Sequence, residues 1–85
     1  MKELNYIIHD QLGIHARPAG LLVKQASMYQ SEITISKGSK SADLKKIFGI
    51  MTLGVKQGEE VVIKITGEDE DEAWSAIGEF LRENL

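Results

Sequence analysis

Val61, Ile63 and Ile65 alternate along the segment VVIKIT, the two-residue period of a strand that turns one face to a core. Three β-branched side chains on that face predict a strong strand, able to occupy a central position in a sheet. Leu4, Tyr6 and Ile8 predict another strand by the same alternation, and Ile33 and Ile35 in SEITISK a third. The KGSK turn then leads into a shorter, more polar strand ending near Leu44.

Between these strands the period changes. Ala19, Leu22, Val23 and Ala26 recur at helical spacing, predicting a helix through about Gln30 that lays an apolar stripe on the sheet. Lys46 to Leu53 predicts a short helix ended by Gly54, although Ile47, Phe48, Ile50, Met51 and Leu53 are too many apolar residues for one buried stripe. Ile50 and Leu53 are the expected inward pair. After the acidic link at residues 67–71, Ala73, Ile77 and Phe80 or Leu81 form the buried face of a last helix, with Trp74 flanking the core. The order is βαββαβα, an α+β chain in which one sheet is covered by helices on one face.

Eighty-five residues suit a single domain, 1–85, with a modest core. The N-terminus MKELNYIIHD is too short in apolar residues and too polar for a secretory signal, and no run is apolar enough to cross a bilayer, so no direct membrane insertion is expected. The absence of cysteine excludes disulfides and thiolate chemistry and fits a cytoplasmic location. A net charge of −3 argues against general nucleic-acid binding. Two separated histidines and dispersed carboxylates form no metal-ligand pattern, so neither a metal nor a bound cofactor is expected.

One segment carries chemistry. In GIHARPAG, Gly13 to Gly20, a histidine and an arginine stand where a strand exit becomes a helix. Gly13 permits a turn, and Pro18 fits a first helical turn, where its missing amide hydrogen costs no internal bond. A phosphate on His15 would meet unpaired first-turn amides and the positive end of the helix dipole, and Arg17 could contact two of its oxygens. Imidazole, with a reference pKa of about 6.5, supplies a nitrogen nucleophile near neutral pH. The suggested chemistry is reversible phosphoryl transfer. The residues alone also fit an ordinary hydrogen-bonded histidine at a helix start and a surface arginine. His9, without such a setting, reads as a surface or capping residue.

GIHARPAG and, far along the chain, LKKIFGIMTLGV together resemble the active-site and second-helix signatures of the HPr family, the histidine-containing phosphocarriers of the bacterial phosphoenolpyruvate-dependent sugar phosphotransferase system. The similarity spans essentially the whole chain. It implies an open-faced β-sandwich, with a four-stranded antiparallel sheet and three helices on one face. By this resemblance His15 takes a phosphoryl group on Nδ1 from enzyme I and passes it to the EIIA component of a sugar-specific permease. Arg17 stabilises the phosphoryl group, while Ala16 and Pro18 supply backbone and shape. Phosphoenolpyruvate is then the indirect phosphoryl source, enzyme I uses magnesium, and the chain is a phosphorylated intermediate and not an enzyme with its own turnover.

The carrier role gives a use to the surplus apolar residues. Ile47, Phe48 and Met51, extended by Leu21 and Thr52, are expected to form a contact surface for enzyme I and EIIA, with Ala16 and Gly20 allowing close approach. Arg17, Lys24, Lys45 and Lys46 are expected on the side that meets acidic partners. Lys46 stands where many relatives from low-GC Gram-positive bacteria carry a regulatory serine. It has no hydroxyl to phosphorylate, so that regulatory branch is expected to be absent, with neither Ser41 nor Thr52 expected to replace the serine. A monomer is expected. The alternatives are a paralogous carrier serving a nitrogen or carbon control system, and a noncatalytic binding module of the same fold.

Overall fold

The computed structural model describes residues 1–85. Its elements are strand β1 (Lys2–Ile7), helix α1 (Ala16–Ala26), β2 (Glu32–Lys37), β3 (Lys40–Asp43), helix α2 (Ile47–Leu53), β4 (Glu60–Thr66) and helix α3 (Glu70–Asn84). The order is the βαββαβα expected from the alternating periods. All strand pairs are antiparallel, in the spatial order β1-β4-β2-β3. The strongest strand pattern occupies the interior of the sheet, where β4 pairs with both β1 and β2.

Pleating explains which residues are buried. Val61, Ile63 and Ile65 of β4 and Ile33 and Ile35 of β2 point to one face, and all are buried. Against them lie Ala19, Leu22 and Ala26 of α1, Ile50 and Leu53 of α2, and Ala73, Ile77 and Leu81 of α3. Phe80 packs at the margin of this core. Trp74 stays partly exposed, its indole N–H donating to the Glu3 carbonyl at 2.9 Å. The opposite sheet face carries side chains such as Asn5, Thr34 and Lys64, all exposed to solvent. This is the open-faced arrangement, with helices on one side only.

Turn chemistry agrees with the sequence. Gly38, at φ +60°, begins the two-residue connection between paired Lys37 and Lys40. Gly54, at φ +61°, closes α2 with its N–H on the Met51 carbonyl.

Helix α1 is shorter than its periodicity suggested: it ends at Ala26, not near Gln30. The reason lies across the molecule. The Asp69 carboxylate accepts from the main-chain amides of Gln30 at 2.8 Å and Ser31 at 3.0 Å, and from the Ser31 hydroxyl. These bonds hold residues 30–31 in a conformation leading into β2, so residues 27–30 form turns instead of another helical turn.

The same cluster has a pH consequence. The Ser31 hydroxyl first, then the Gln30 amide, hold the Asp69 carboxyl below its ordinary value. A carboxyl depressed in the folded state favours folding above its unfolded pKa, and that contribution is lost as pH falls through the folded value. Asp69→Asn is therefore expected to lower the denaturation midpoint near pH 7 and to have a smaller effect at an acidic pH, where the parent carboxyl is protonated. Denaturant titrations at the two pH values check this, and a pH-independent difference would overturn it.

Candidate phosphoryl-transfer site

The loop from β1 to α1 is fixed from three directions. Beyond Ile7, the Ile8 amide donates to the Glu59 carbonyl at 3.0 Å, and the Gly58 amide returns a bond to the Ile8 carbonyl at 2.8 Å. The His9 and Asp10 amides both donate to the Leu85 main-chain oxygen, at 2.6 and 3.0 Å. Asp10 then makes the turn: its carbonyl accepts from the Gly13 amide at 2.9 Å, and its Oδ1 accepts from the Leu12 amide at 2.8 Å. Buried Ile14 is tied through its amide to the Val55 carbonyl at 3.0 Å. The chain thus delivers His15 to a defined position at the end of a well-anchored loop.

His15 is the N-cap of α1, with extended backbone (φ −100°, ψ −176°) and no side-chain capping bond. Its carbonyl takes the first helical bond, from the Ala19 amide at 3.0 Å. No main-chain acceptor engages the Ala16 and Arg17 amides, and Pro18 has no amide hydrogen to satisfy. Two N–H donors and the positive end of an 11-residue helix therefore lie beside the imidazole. Arg17 is exposed and engaged in no ion pair, leaving its guanidinium free to meet an anion.

His15 and Arg17 line a shallow pocket of about 170 Å³ together with Asp10, Pro18, Leu21 and Asn84. Larger grooves, of about 460 and 530 Å³, border β3 away from His15. The histidine side chain is 37% exposed. No group of three or more His, Cys, Asp or Glu side chains is arranged to hold a metal ion.

The expected inward pair and the expected contact residues lie on different sides. Ile50 and Leu53 are buried, whereas Phe48 is 84% exposed and Ile47, Met51 and Leu21 are also on the surface. Thr52 is exposed, its hydroxyl donating to the Phe48 carbonyl at 2.7 Å. Gly20 joins the two parts of this surface: a Cβ there would stand 3.8 Å from Ile47 Cδ1, so α1 and α2 meet at that point. Ala16, Lys24 and Lys46 are exposed. Lys45 is not equivalent to them, since its Nζ donates to the Tyr29 carbonyl at 2.7 Å and is tied to the segment between α1 and β2. His9 remains a surface residue whose ring meets Tyr6 edge-on, with centroids 5.7 Å apart.

Two lining residues escape a reading by motif. Asp10 and Asn84 reach the pocket from the preceding loop and from the last turn of α3. Asp10, only five positions before His15 and followed by the Gly13 turn, left a local signal. Asn84 left none, because its place depends on how α3 packs.

An accessible imidazole at a helix amide terminus, with an unpaired arginine lining the same pocket and an exposed apolar patch on this sheet-and-helix topology, fits the class of small histidine phosphocarriers. The family described as PTS HPr component phosphorylation site matches residues 2–83, and the chain belongs to that family. It is 43% identical over 83 residues to the phosphocarrier protein HPr of Lysinibacillus sphaericus, covering 98% of this chain and 94% of that protein. Among solved structures, HPr of Thermoanaerobacter tengcongensis superposes with a TM-score of 0.93 at 42% identity, covering 98% and 93% of the two chains. The Mycoplasma histidine-containing phosphocarrier protein gives 0.94 at 39% identity, covering 96% and 93%. Like other members of the family, the chain relays phosphoryl groups between enzyme I and EIIA, as an intermediate and not as a self-contained enzyme.

Proposed function

We infer that residues 1–85 act as one phosphocarrier unit in which His15 Nδ1 receives the phosphoryl group. The observation that carries this reading is the position of His15 as N-cap of α1, exposed and beside the unbonded Ala16 and Arg17 amides. Arg17 neutralises charge on the phosphoryl oxygens as they approach, and Pro18 fixes the first helical turn without adding a donor that would need a partner. The acceptor is the EIIA component of a sugar permease. No helix is long and apolar enough to cross a membrane, and the lack of cysteine suits a reducing cytoplasm.

Leu21, Ile47, Phe48 and Met51 form the docking patch, with Thr52 and Gly20 within it and Arg17, Lys24 and Lys46 supplying positive charge around it. Apolar contacts rimmed by charge suit partners that must bind and leave. Phe48→Ala is expected to weaken enzyme I binding by about 5- to 30-fold, the effect of truncating an aromatic anchor. Its exposure predicts a stability change within about 0.5 kcal/mol. Titration of enzyme I against the parent and variant measures the first quantity and denaturant unfolding the second. Equal affinity would remove Phe48 from the patch.

Lys46 is the N-cap of α2 and offers no hydroxyl, so serine-type regulation at this helix start has no acceptor. The function is tested by mixing the protein with phosphoenolpyruvate, magnesium and active enzyme I, then following intact mass and mapping the modified residue without acid exposure. One enzyme I-dependent phosphate on His15 is expected. A phosphate elsewhere, or none, would overturn the assignment.

A further inference from the structure

The ring nitrogen of His15 that faces away from its proposed chemistry is not alone. Asp10 Oδ1 lies 3.7 Å from Nε2, and both side chains are only partly exposed, at 30% for Asp10 and 37% for His15. At that distance the contact is electrostatic and longer than a direct hydrogen bond. The carboxylate is nevertheless held in place. Its Oδ1 accepts from the Leu12 amide, its carbonyl accepts from the Gly13 amide, and its own amide is bonded to Leu85. The two main-chain bonds fix the backbone and the Leu12 bond restrains the side chain, so the negative charge stays beside Nε2 instead of moving with solvent.

We propose that Asp10 is a positioning residue for phosphoryl transfer, holding the His15 proton on Nε2 so that the Nδ1 lone pair is free to attack. The inference rests on His15 as the phosphoryl acceptor. In a neutral imidazole, the partner of one nitrogen decides which nitrogen carries the hydrogen. A carboxylate beside Nε2 favours N–H there, because an unprotonated Nε2 would set its lone pair against a negative charge. The only other charged side chain lining the pocket is Arg17, and a guanidinium has no lone pair to accept a ring N–H. Asp10 therefore biases the ring toward a proton on Nε2, and Arg17 supplies no acceptor that would draw it to Nδ1.

The same contact acts during transfer. The Nδ1 lone pair forms the new N–P bond while the bond from phosphorus to the donor atom of enzyme I breaks, its electron pair remaining on the donor. The Nε2 proton stays in place throughout. The ring consequently gains positive charge as Nδ1 donates its pair, and that charge develops 3.7 Å from Asp10 Oδ1. Transfer onward to EIIA reverses these changes. A carboxylate fixed on the far side of the ring thus lowers the energy of the transfer state without touching phosphorus.

Two substitutions separate this role from turn formation. Asp10→Asn keeps an oxygen for the Leu12 amide but removes the charge, whereas Asp10→Ala removes both. Nitrogen-15 spectra of the His15 ring, recorded on the unphosphorylated proteins above the imidazole titration, report the two tautomers directly. The parent is expected to hold its proton predominantly on Nε2, and Asp10→Ala to shift the ratio about fivefold toward Nδ1–H, the size of a partly exposed charge contact. Single-turnover uptake from phosphorylated enzyme I should slow by a similar factor in Asp10→Asn, while amide spectra show the loop intact. An unchanged tautomer ratio together with an unchanged uptake rate would overturn the proposal. Failure of the parent to take phosphate on His15 would instead overturn the assignment on which it rests, and the isolated-protein spectra distinguish the two failures.

Discussion

Replacing His15 with alanine is expected to abolish phosphoryl uptake and leave the fold intact. No other side chain lies at the junction of the unbonded Ala16 and Arg17 amides with a nitrogen lone pair to offer, and His9 is committed to the surface beside Tyr6. The loss should therefore be complete within detection, with no residual acid-labile phosphate in a quantitative mass measurement. Stability should change by less than about 0.5 kcal/mol, because His15 makes no side-chain capping bond whose removal would weaken α1. Arg17→Ala is the graded companion. It keeps the nucleophile but removes a cation at the phosphoryl oxygens, and about a hundredfold slower transfer is the scale for losing one such stabilising group. Normal uptake by His15→Ala would place the acceptor elsewhere, and an unchanged rate in Arg17→Ala would reduce that residue to a surface charge.

The second large effect concerns a residue with no chemistry of its own. Gly13 has φ +69°, and a Cβ built on it would lie 2.2 Å from the Val55 carbonyl oxygen and 2.7 Å from Lys56 Cα. Both obstacles are main chain, so no side chain can swing aside. Gly13→Ala combines the left-handed penalty of about 1 kcal/mol with a collision that must separate the site loop from the segment before β4. A total loss of at least about 3 kcal/mol is expected, measured as a shift in the denaturant midpoint. The collision also opposes the Ile14 amide bond to Val55, which helps anchor His15. Any Gly13→Ala protein that remains folded should therefore take up phosphate more slowly although His15 is untouched. Parental stability would show that the loop relaxes freely and that its anchoring does not depend on this close approach.

These two residues illustrate different kinds of legibility. His15 was visible because its chemistry is local: a nucleophilic ring, a helix start, a following arginine and a proline that tolerates the first turn all lie within one octapeptide. Gly13 was visible as a turn residue, but the reason only glycine fits comes from Val55, more than forty positions later. The proposed partner patch divided in the same way. An excess of apolar residues in 46–53 announced that some must face outward, and the structure shows Phe48 outward and Ile50 inward.

Local periodicity determined the element order, the central character of β4 and the inward faces of the helices, because side-chain direction follows backbone period within each element. The proposed phosphoryl site at the start of α1 was suggested by residues within one octapeptide, and the resemblance to the HPr family gave it that role. Tertiary structure decided what depends on contacts between distant segments. The Asp69 carboxylate ends α1 at Ala26 by capturing Gln30 and Ser31. The Tyr29 carbonyl removes Lys45 from the free positive surface. The anchored turn brings Asp10 to the far nitrogen of His15. A carboxylate or an ammonium group has the same chemistry wherever it occurs in a sequence, and only packing sets which partner lies within a few ångströms of it.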